Sequence, residues 1–301
     1  MHQNNQNNSQ HLPVLLEAVL KYLKPKKGET YLDLTAGYGG HAEAILERTN
    51  NRSSSLLVDR DQAAIKALKK RFDGQKIEII KSDFYTASQK LAGETKKFDI
   101  ILADLGISSP HLNTASRGFS FNKSGPIDMR MDQNQSLTAY KIVNNYSEAE
   151  LMELIKRYGE DPKAKQIARA IIKNRPINST TELATIVARV WPGRHKINPA
   201  TRTFQALRIS VNDELGQLEK SLPVWIDLLA PDGRLGIISF HSLEDRLVKQ
   251  AFQARGSKTY DADLKVLTKR PVTGDKNNLV FNPRARSAKL RAVVKIKNRP
   301  E

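Results

Sequence analysis

The sequence predicts an α/β protein whose parallel sheet is interrupted by a helical insertion, and three observations carry that reading. Four short apolar runs, "TYLDL", "SSLLVDRD", "IEIIKSD" and "FDIILADLG", end in polar or acidic residues and alternate with helical periodicity, the rhythm of βαβ units. A fifth such run, "GRLGIISF", arrives only at Gly233, far beyond the few residues that an ordinary αβ connection takes. With 301 residues and 39% hydrophobic content, the chain buries a core without covalent staples.

Taken in order, Tyr31, Leu32 and Leu34 suit a first strand, which breaks at Gly37, Gly39 and Gly40 and restarts as the helix "AEAIL". The second strand ends at Asp59, and Ala64, Ile65, Leu68 and Phe72 space one buried helix face behind it. The third leads into Asp83 and Phe84, and the fourth places Asp104 at its carboxyl end. Next comes the irregular "SSPHLNTASRGFSFNKSGPIDMRMDQNQ", readable as an ordered loop or as disorder. Helical faces follow at Leu151, Leu154, Ile155 and Tyr158, at Ala164, Ile167 and Ile171, and at Leu183, Ile186, Val187 and Val190. Ser179 and Glu182 have capping-box spacing for the last of these. One further helix, with Phe204, Leu207, Val211, Leu215 and Leu218 in register, leads back to the sheet. "DLKVLTKRPV" and "AKLRAVVKIK" supply two last strands. The layout expected is a discontinuous α/β domain of residues 11–111 and 200–301, a helical insert over 112–199, and a disordered tail over 1–10.

Composition narrows the function. Lysine plus arginine number 49 against 32 acidic residues, a formal charge of +17, which favours a polyanionic partner because basic groups near phosphates release counterions. There is no cysteine, so disulfides, thiolate metal sites and cysteine nucleophiles are excluded. No apolar run approaches the roughly 20 residues of a membrane span. The uncharged start "MHQNNQNNSQ" lacks the pattern of a signal peptide, so a cytoplasmic protein is expected. His, Asp and Glu fall without metal-ligand spacing, and no metal is expected.

Gly37, Gly39 and Ala42 satisfy G-x-G-x-x-[GA], and Asp59 stands about 20 residues on, where a carboxylate takes ribose hydroxyls. That pattern suits NAD and S-adenosylmethionine equally, or a tight turn without ligand. "ADLGISSP" favours the second cofactor: an acid followed by a proline-bearing turn suits the gripping of an exocyclic amine, whereas a nicotinamide enzyme needs a proton donor there. A plain helix cap is the other reading of Asp104.

The stretches "HLPVLLEAVL", "GYGGHAEAIL", "VDRD", "DLGISSP", "RGFSF", "DMRMD", "SFHSLEDRLVK" and "NPRARSAKLR", in order from His11 to Arg291, resemble the bacterial 16S ribosomal RNA cytosine-N4 methyltransferase H family, also called MraW. The resemblance implies a Rossmann-like S-adenosylmethionine-dependent methyltransferase fold with an inserted all-helical domain. The implied reaction is methylation of the N4 amine of a decoding-region cytidine in 16S rRNA. It implies cofactor contacts at Gly39, Gly40, His41, Asp59, Phe84, Asp104 and His111, with the small ribosomal subunit as partner; a homodimer stays open. His111 stands where Gln is usual, Ala18 where Glu is, and Ala42 where Ser is.

Methylating a pyrimidine ring carbon needs a covalent cysteine adduct, which this chain cannot form, whereas an exocyclic amine needs only an acceptor and alignment. Asp104 is the candidate acceptor, with the turn from Ser108 to Pro110 shaping the pocket. Phe84 is either an adenine flank or core. Asp128, Arg130 and Asp132 are either a substrate clamp or a self-satisfied ion pair, and His241 lines the site. Lys163, Lys165, Arg169, Lys173 and Arg175, "PGRHK" from Pro192, and Arg284, Arg286, Lys289 and Arg291 are the expected phosphate-tracking surface. Two rivals stay in view, an NAD-linked oxidoreductase and a non-catalytic RNA-binding ribosome-assembly factor.

Overall fold

The computed structural model describes residues 13–256, 262–274 and 283–296. The expected N-terminal tail and the side chain of Arg284 lie outside the described residues. The chain divides into two compact units, one of residues up to 106 together with those from 219 onward, the other of residues 107–218.

The first unit is built on one sheet. Strands β1 (Tyr31–Asp33), β2 (Leu56–Asp59), β3 (Glu78–Lys81), β4 (Phe98–Asp104) and β5 (Leu229–Ser239) run parallel in the order β3-β2-β1-β4-β5. Beyond β5 the sheet turns antiparallel: β8 (Lys289–Lys295) pairs with β5, and β6 (Leu264–Val266) and β7 (Val272–Thr273) pair with β8. Helices α1 (Leu16–Leu23), α2 (Gly40–Thr49), α3 (Gln62–Arg71), α4 (Phe84–Gly93) and, after β5, α12 (Ser242–Arg255) accompany the strands. Central strands of a covered parallel sheet read as continuous apolar runs, and Leu32, Leu57, Ile100, Ile101 and Leu102 are all fully buried. Ala64, Ile65, Leu68 and Phe72 form the buried face of α3 as their spacing requires. The sheet edge where β1, β2 and β4 end therefore carries Asp33, Asp59 and Asp104 on neighbouring strands.

The second unit holds α5 (Ser109–Asn113), α6 (Ala139–Asn145), α7 (Glu148–Gly159), α8 (Ala164–Lys173), α9 (Thr180–Val190) and α10 (Ala200–Asn212), and α11 (Glu214–Asp227) begins in it. Its core joins Leu151, Ile155, Ile167, Ile171, Leu183, Val187, Phe204 and Leu207. Helix α10, expected with the sheet domain, packs among these helices instead. Nor is it continuous with α11: Asp213 takes a left-handed conformation (φ 48°) between them. The irregular stretch is folded. Arg117 donates to the carbonyls of Arg130 and Met131, and the buried Asn212 amide accepts from Met131 N–H at 2.9 Å and donates to Met129 O at 2.8 Å. No helix among the described residues is long and apolar enough to cross a membrane.

Candidate functional site

In the first unit the site grows from the turn after β1. Gly37 and Gly39 both take positive φ, 54° and 81°, which side chains resist. A Cβ on Gly39 would also lie 3.0 Å from Arg71 and Phe72, and one on Gly40 would lie 2.7 Å from Pro13, so both glycines are demanded by neighbouring protein. At Gly37 a Cβ would meet nothing nearer than 3.9 Å, so there the positive φ and not crowding is what favours glycine. Arg71 fastens the loop from α3 by donating to Tyr38 O at 3.0 Å and pairing with Glu43.

Asp59 organises the same turn. One carboxylate oxygen accepts the Gly37 N–H at 2.8 Å and the other accepts the Asp61 N–H at 2.8 Å. Asp33, which the sequence reading passed over, is 1% exposed, accepts from Tyr31 Oη at 2.6 Å and from Thr35 N–H at 3.1 Å, and has Asp59 for a charged neighbour. Burial raises its carboxyl to about 7 against the pull of those two hydrogen bonds. An acid inside the apolar run "TYLDL" was the signal for it. Thr35, also unforeseen, joins the strand ends: its Oγ1 accepts the Asp104 N–H at 2.6 Å.

His41, on the first turn of α2, is 7% exposed, and burial lowers its imidazole to about 4. Its Nε2 lies 3.7 Å from an Asp104 carboxylate oxygen, a contact of a neutral ring with a carboxylate and not an ion pair. Phe84 is half-buried at the start of α4, its ring edge-on to Trp225 at 5.3 Å, and Trp225 donates to Ser88 at 2.7 Å. The ring thus packs against Trp225 while part of the residue stays accessible. His241 caps α12, its Nδ1 accepting the Glu244 N–H at 3.3 Å, which is a structural assignment for a residue expected to line the site.

Ser108, Pro110 and His111 belong to the second unit. Ser108 caps the short α5, Pro110 occupies its first turn, and the His111 ring closes the cap: Nδ1 receives the Ser108 N–H at 3.3 Å and lies 3.0 Å from Ser108 Oγ. The ring, 6% exposed, also packs on Phe119 at 4.9 Å. Asp128 and Arg130 form a two-pronged pair, both contacts 2.8 Å, and Arg130 further donates to Gln133 O and Gln135 O. Burial acts upward on Asp128, but the Arg130 hydrogen bonds and charge outweigh it and hold the carboxyl below its usual range. The structure thus shows the self-satisfied pair at Asp128 and Arg130.

Several expected phosphate contacts are also engaged within the protein. Arg175 donates to Val143 O at 2.7 Å and to Tyr146 O, Arg169 pairs with Glu148, and Arg291 grips Asp245 at 2.7 and 3.1 Å. Lys165, Lys173 and Arg286 are exposed.

The site in the first unit fits S-adenosylmethionine by the chemistry of its groups: a glycine turn after β1, the Asp59 carboxylate on the neighbouring strand, a half-buried aromatic ring in Phe84 and a neutral His41 beside Asp104. Curated relatives agree in kind. Proteins named ribosomal RNA small subunit methyltransferase H are 45% identical in Nitratidesulfovibrio vulgaris (strain DP4), over 95% of each chain. Those of Heliobacterium modesticaldum are 43% identical over 95% of this chain and 99% of that one, and of Synechocystis sp. 44% identical over 95% and 93%. Among solved structures, a putative rRNA-methylase from Clostridium thermocellum aligns at TM-score 0.43 with 11% identity over 93% of this chain and 95% of that one, a likeness too remote to carry a functional statement. The model of the MraW methylase family matches residues 8–296, nearly the whole sequence, and the chain belongs to that family.

Proposed function

We propose that this enzyme transfers the methyl group of S-adenosylmethionine to the exocyclic N4 amine of a cytidine in 16S rRNA, acting on the small ribosomal subunit in the cytoplasm. The observation that carries the reading is the glycine turn of β1 flanked by Asp59 and Asp104 on the two neighbouring strand ends, within a chain that matches a methylase family over residues 8–296. When bound, the cofactor supplies an electrophilic methyl group on a sulfonium. Asp59 would take its ribose hydroxyls, Phe84 would flank its adenine, and the Gly39–His41 turn would face its methionine end.

The amine's lone pair is delocalised into the base, so the protein must accept an amine hydrogen and hold the nitrogen in line. Asp104 is the candidate acceptor: its main chain is fixed by Thr35, and its carboxylate lies 3.7 Å from the neutral His41 ring. Ser108 and Pro110 are the candidates for shaping the base pocket, and His111 closes the cap of the short helix they begin. Neither a nicotinamide oxidoreductase nor a non-catalytic assembly factor finds support among the relatives, which are methyltransferases by name. Labelled methyl transfer to small subunits and to free 16S rRNA, followed by nucleoside mass spectrometry, tests the reading. N4-methylcytidine is expected; label on a ring carbon or a ribose oxygen would overturn it.

A further inference from the structure

The helical unit carries a groove of about 580 Å³ between the end of α9 and the start of α10, lined by Thr185, Arg189, Trp191, Pro192, His195 and Asn198 among others. Cavities of this size accept small organic groups. Its floor is held in place. Lys163 Nζ sits 4.3 Å from the Trp191 ring centroid while donating to Val190 O at 3.0 Å, and the His195 ring stands edge-on to Trp191 at 5.8 Å. The Trp191 Nε1 donor is withdrawn from solvent and has no acceptor among the described residues, an arrangement that costs stability until an acceptor arrives.

Charge sets the class of occupant. No acidic side chain lines the groove, and Arg189, Arg194 and Lys196 are exposed beside it with no ion pair among the described residues. The loop also exposes Ile197 at 68%. An aromatic ring set among unpaired cations is the arrangement by which proteins hold single-stranded nucleic acid, the ring taking a base and the cations its phosphates.

We propose that this groove binds a nucleotide of single-stranded rRNA other than the one methylated, with its base against Trp191 and its phosphates on Arg189, Arg194 and Lys196. The inference rests on the rRNA reading above and adds a second anchoring point to it.

The test uses the full chain, a single-stranded RNA oligonucleotide and 16S rRNA. The exposed-cation variant R189Q/R194Q/K196Q should bind the oligonucleotide roughly tenfold more weakly and flatten the dependence of log affinity on log salt by up to about two units. Its KM for rRNA should rise while kcat at saturating RNA and S-adenosylmethionine affinity hold. Trp191→Ala should lose both affinity and the RNA-induced quenching of tryptophan fluorescence, whereas Trp191→Phe should keep most affinity and lose the quenching. If wild type methylates rRNA and the cation variant matches it in affinity, salt slope and KM, the groove is not an RNA site and the inference falls alone. If wild type neither binds nor methylates rRNA, the functional reading falls and the inference with it. Retention by the groove of a small-subunit protein but not of RNA would overturn it in favour of a protein partner.

Discussion

Asp33 and His41 make a sharp prediction about pH, because burial shifts them in opposite senses and their effects on stability oppose each other. Asp33 is raised in the fold to about 7 from 3.8, so the folded chain binds a proton that the unfolded chain has released. Its contribution is fully present below about pH 4 and is lost as pH rises through 7. At 1.36 kcal/mol per pH unit, the loss is at most about 4 kcal/mol. His41 is lowered to about 4 from 6.5, so its contribution is present above 6.5 and lost as pH falls through 4, up to about 3 kcal/mol. Between pH 4 and 6.5 the two slopes oppose and nearly cancel. Asp33→Asn keeps the shape of the side chain, removes the titration and should uncover the other slope. Denaturant unfolding from pH 4.5 to 8 would then show the variant gaining stability with pH up to about 6.5, where wild type stays nearly flat. The difference between the two proteins should shift in the variant's favour by several kcal/mol across the range. A difference that is constant with pH would refute the reasoning, since it would mean that Asp33 is ionised in the fold throughout.

Three further outcomes follow from the same geometry. Asp59→Ala removes the acceptor of two backbone N–H groups at 2.8 Å, so beyond weakening S-adenosylmethionine binding by calorimetry it should cost the ligand-free protein roughly 1 to 3 kcal/mol in unfolding, and Asp59→Asn about half as much; unchanged values in both assays would reduce Asp59 to a strand-end residue. Asp104→Asn leaves the main-chain bond to Thr35 in place and should lower turnover in single-turnover methyl transfer well beyond any loss of cofactor affinity; equal losses would confine Asp104 to binding. Asn212→Ala strips the buried partner of Met129 O and Met131 N–H and should destabilise the second unit by about 2 to 4 kcal/mol, read by denaturant unfolding and by faster proteolysis near residues 128–135; protease resistance equal to wild type would show that the loop is held elsewhere.

How much of this was legible in the sequence depended on whether the decisive partner was near in the chain. The apolar runs ending at Asp59 and Asp104 are local patterns, and their strands and acids stand where those patterns put them. Asp33 was visible as a residue but not as one whose carboxyl is raised, because its shift comes from burial that no window of sequence contains. The break between α10 and α11 was hidden for a related reason. Apolar spacing runs through Asp213 unchanged, while Asn212 is fixed by a loop some 80 residues earlier and Asp213 takes a left-handed conformation that Asp tolerates without being glycine.

The basic residues show the limit most clearly. Arginine carries five donors in a planar fork that suits a phosphate, a carboxylate or a set of carbonyl oxygens alike. Arg175 ends on the carbonyls of Val143 and Tyr146, Arg130 on Asp128 and two more carbonyls, and Arg291 on Asp245, whereas Arg189 and Arg194, a few residues from a buried tryptophan donor, end in solvent. A net charge of +17 favours a polyanionic partner, and the proposed groove places its contact at the side chains that the fold leaves in solvent and not at those it has already engaged.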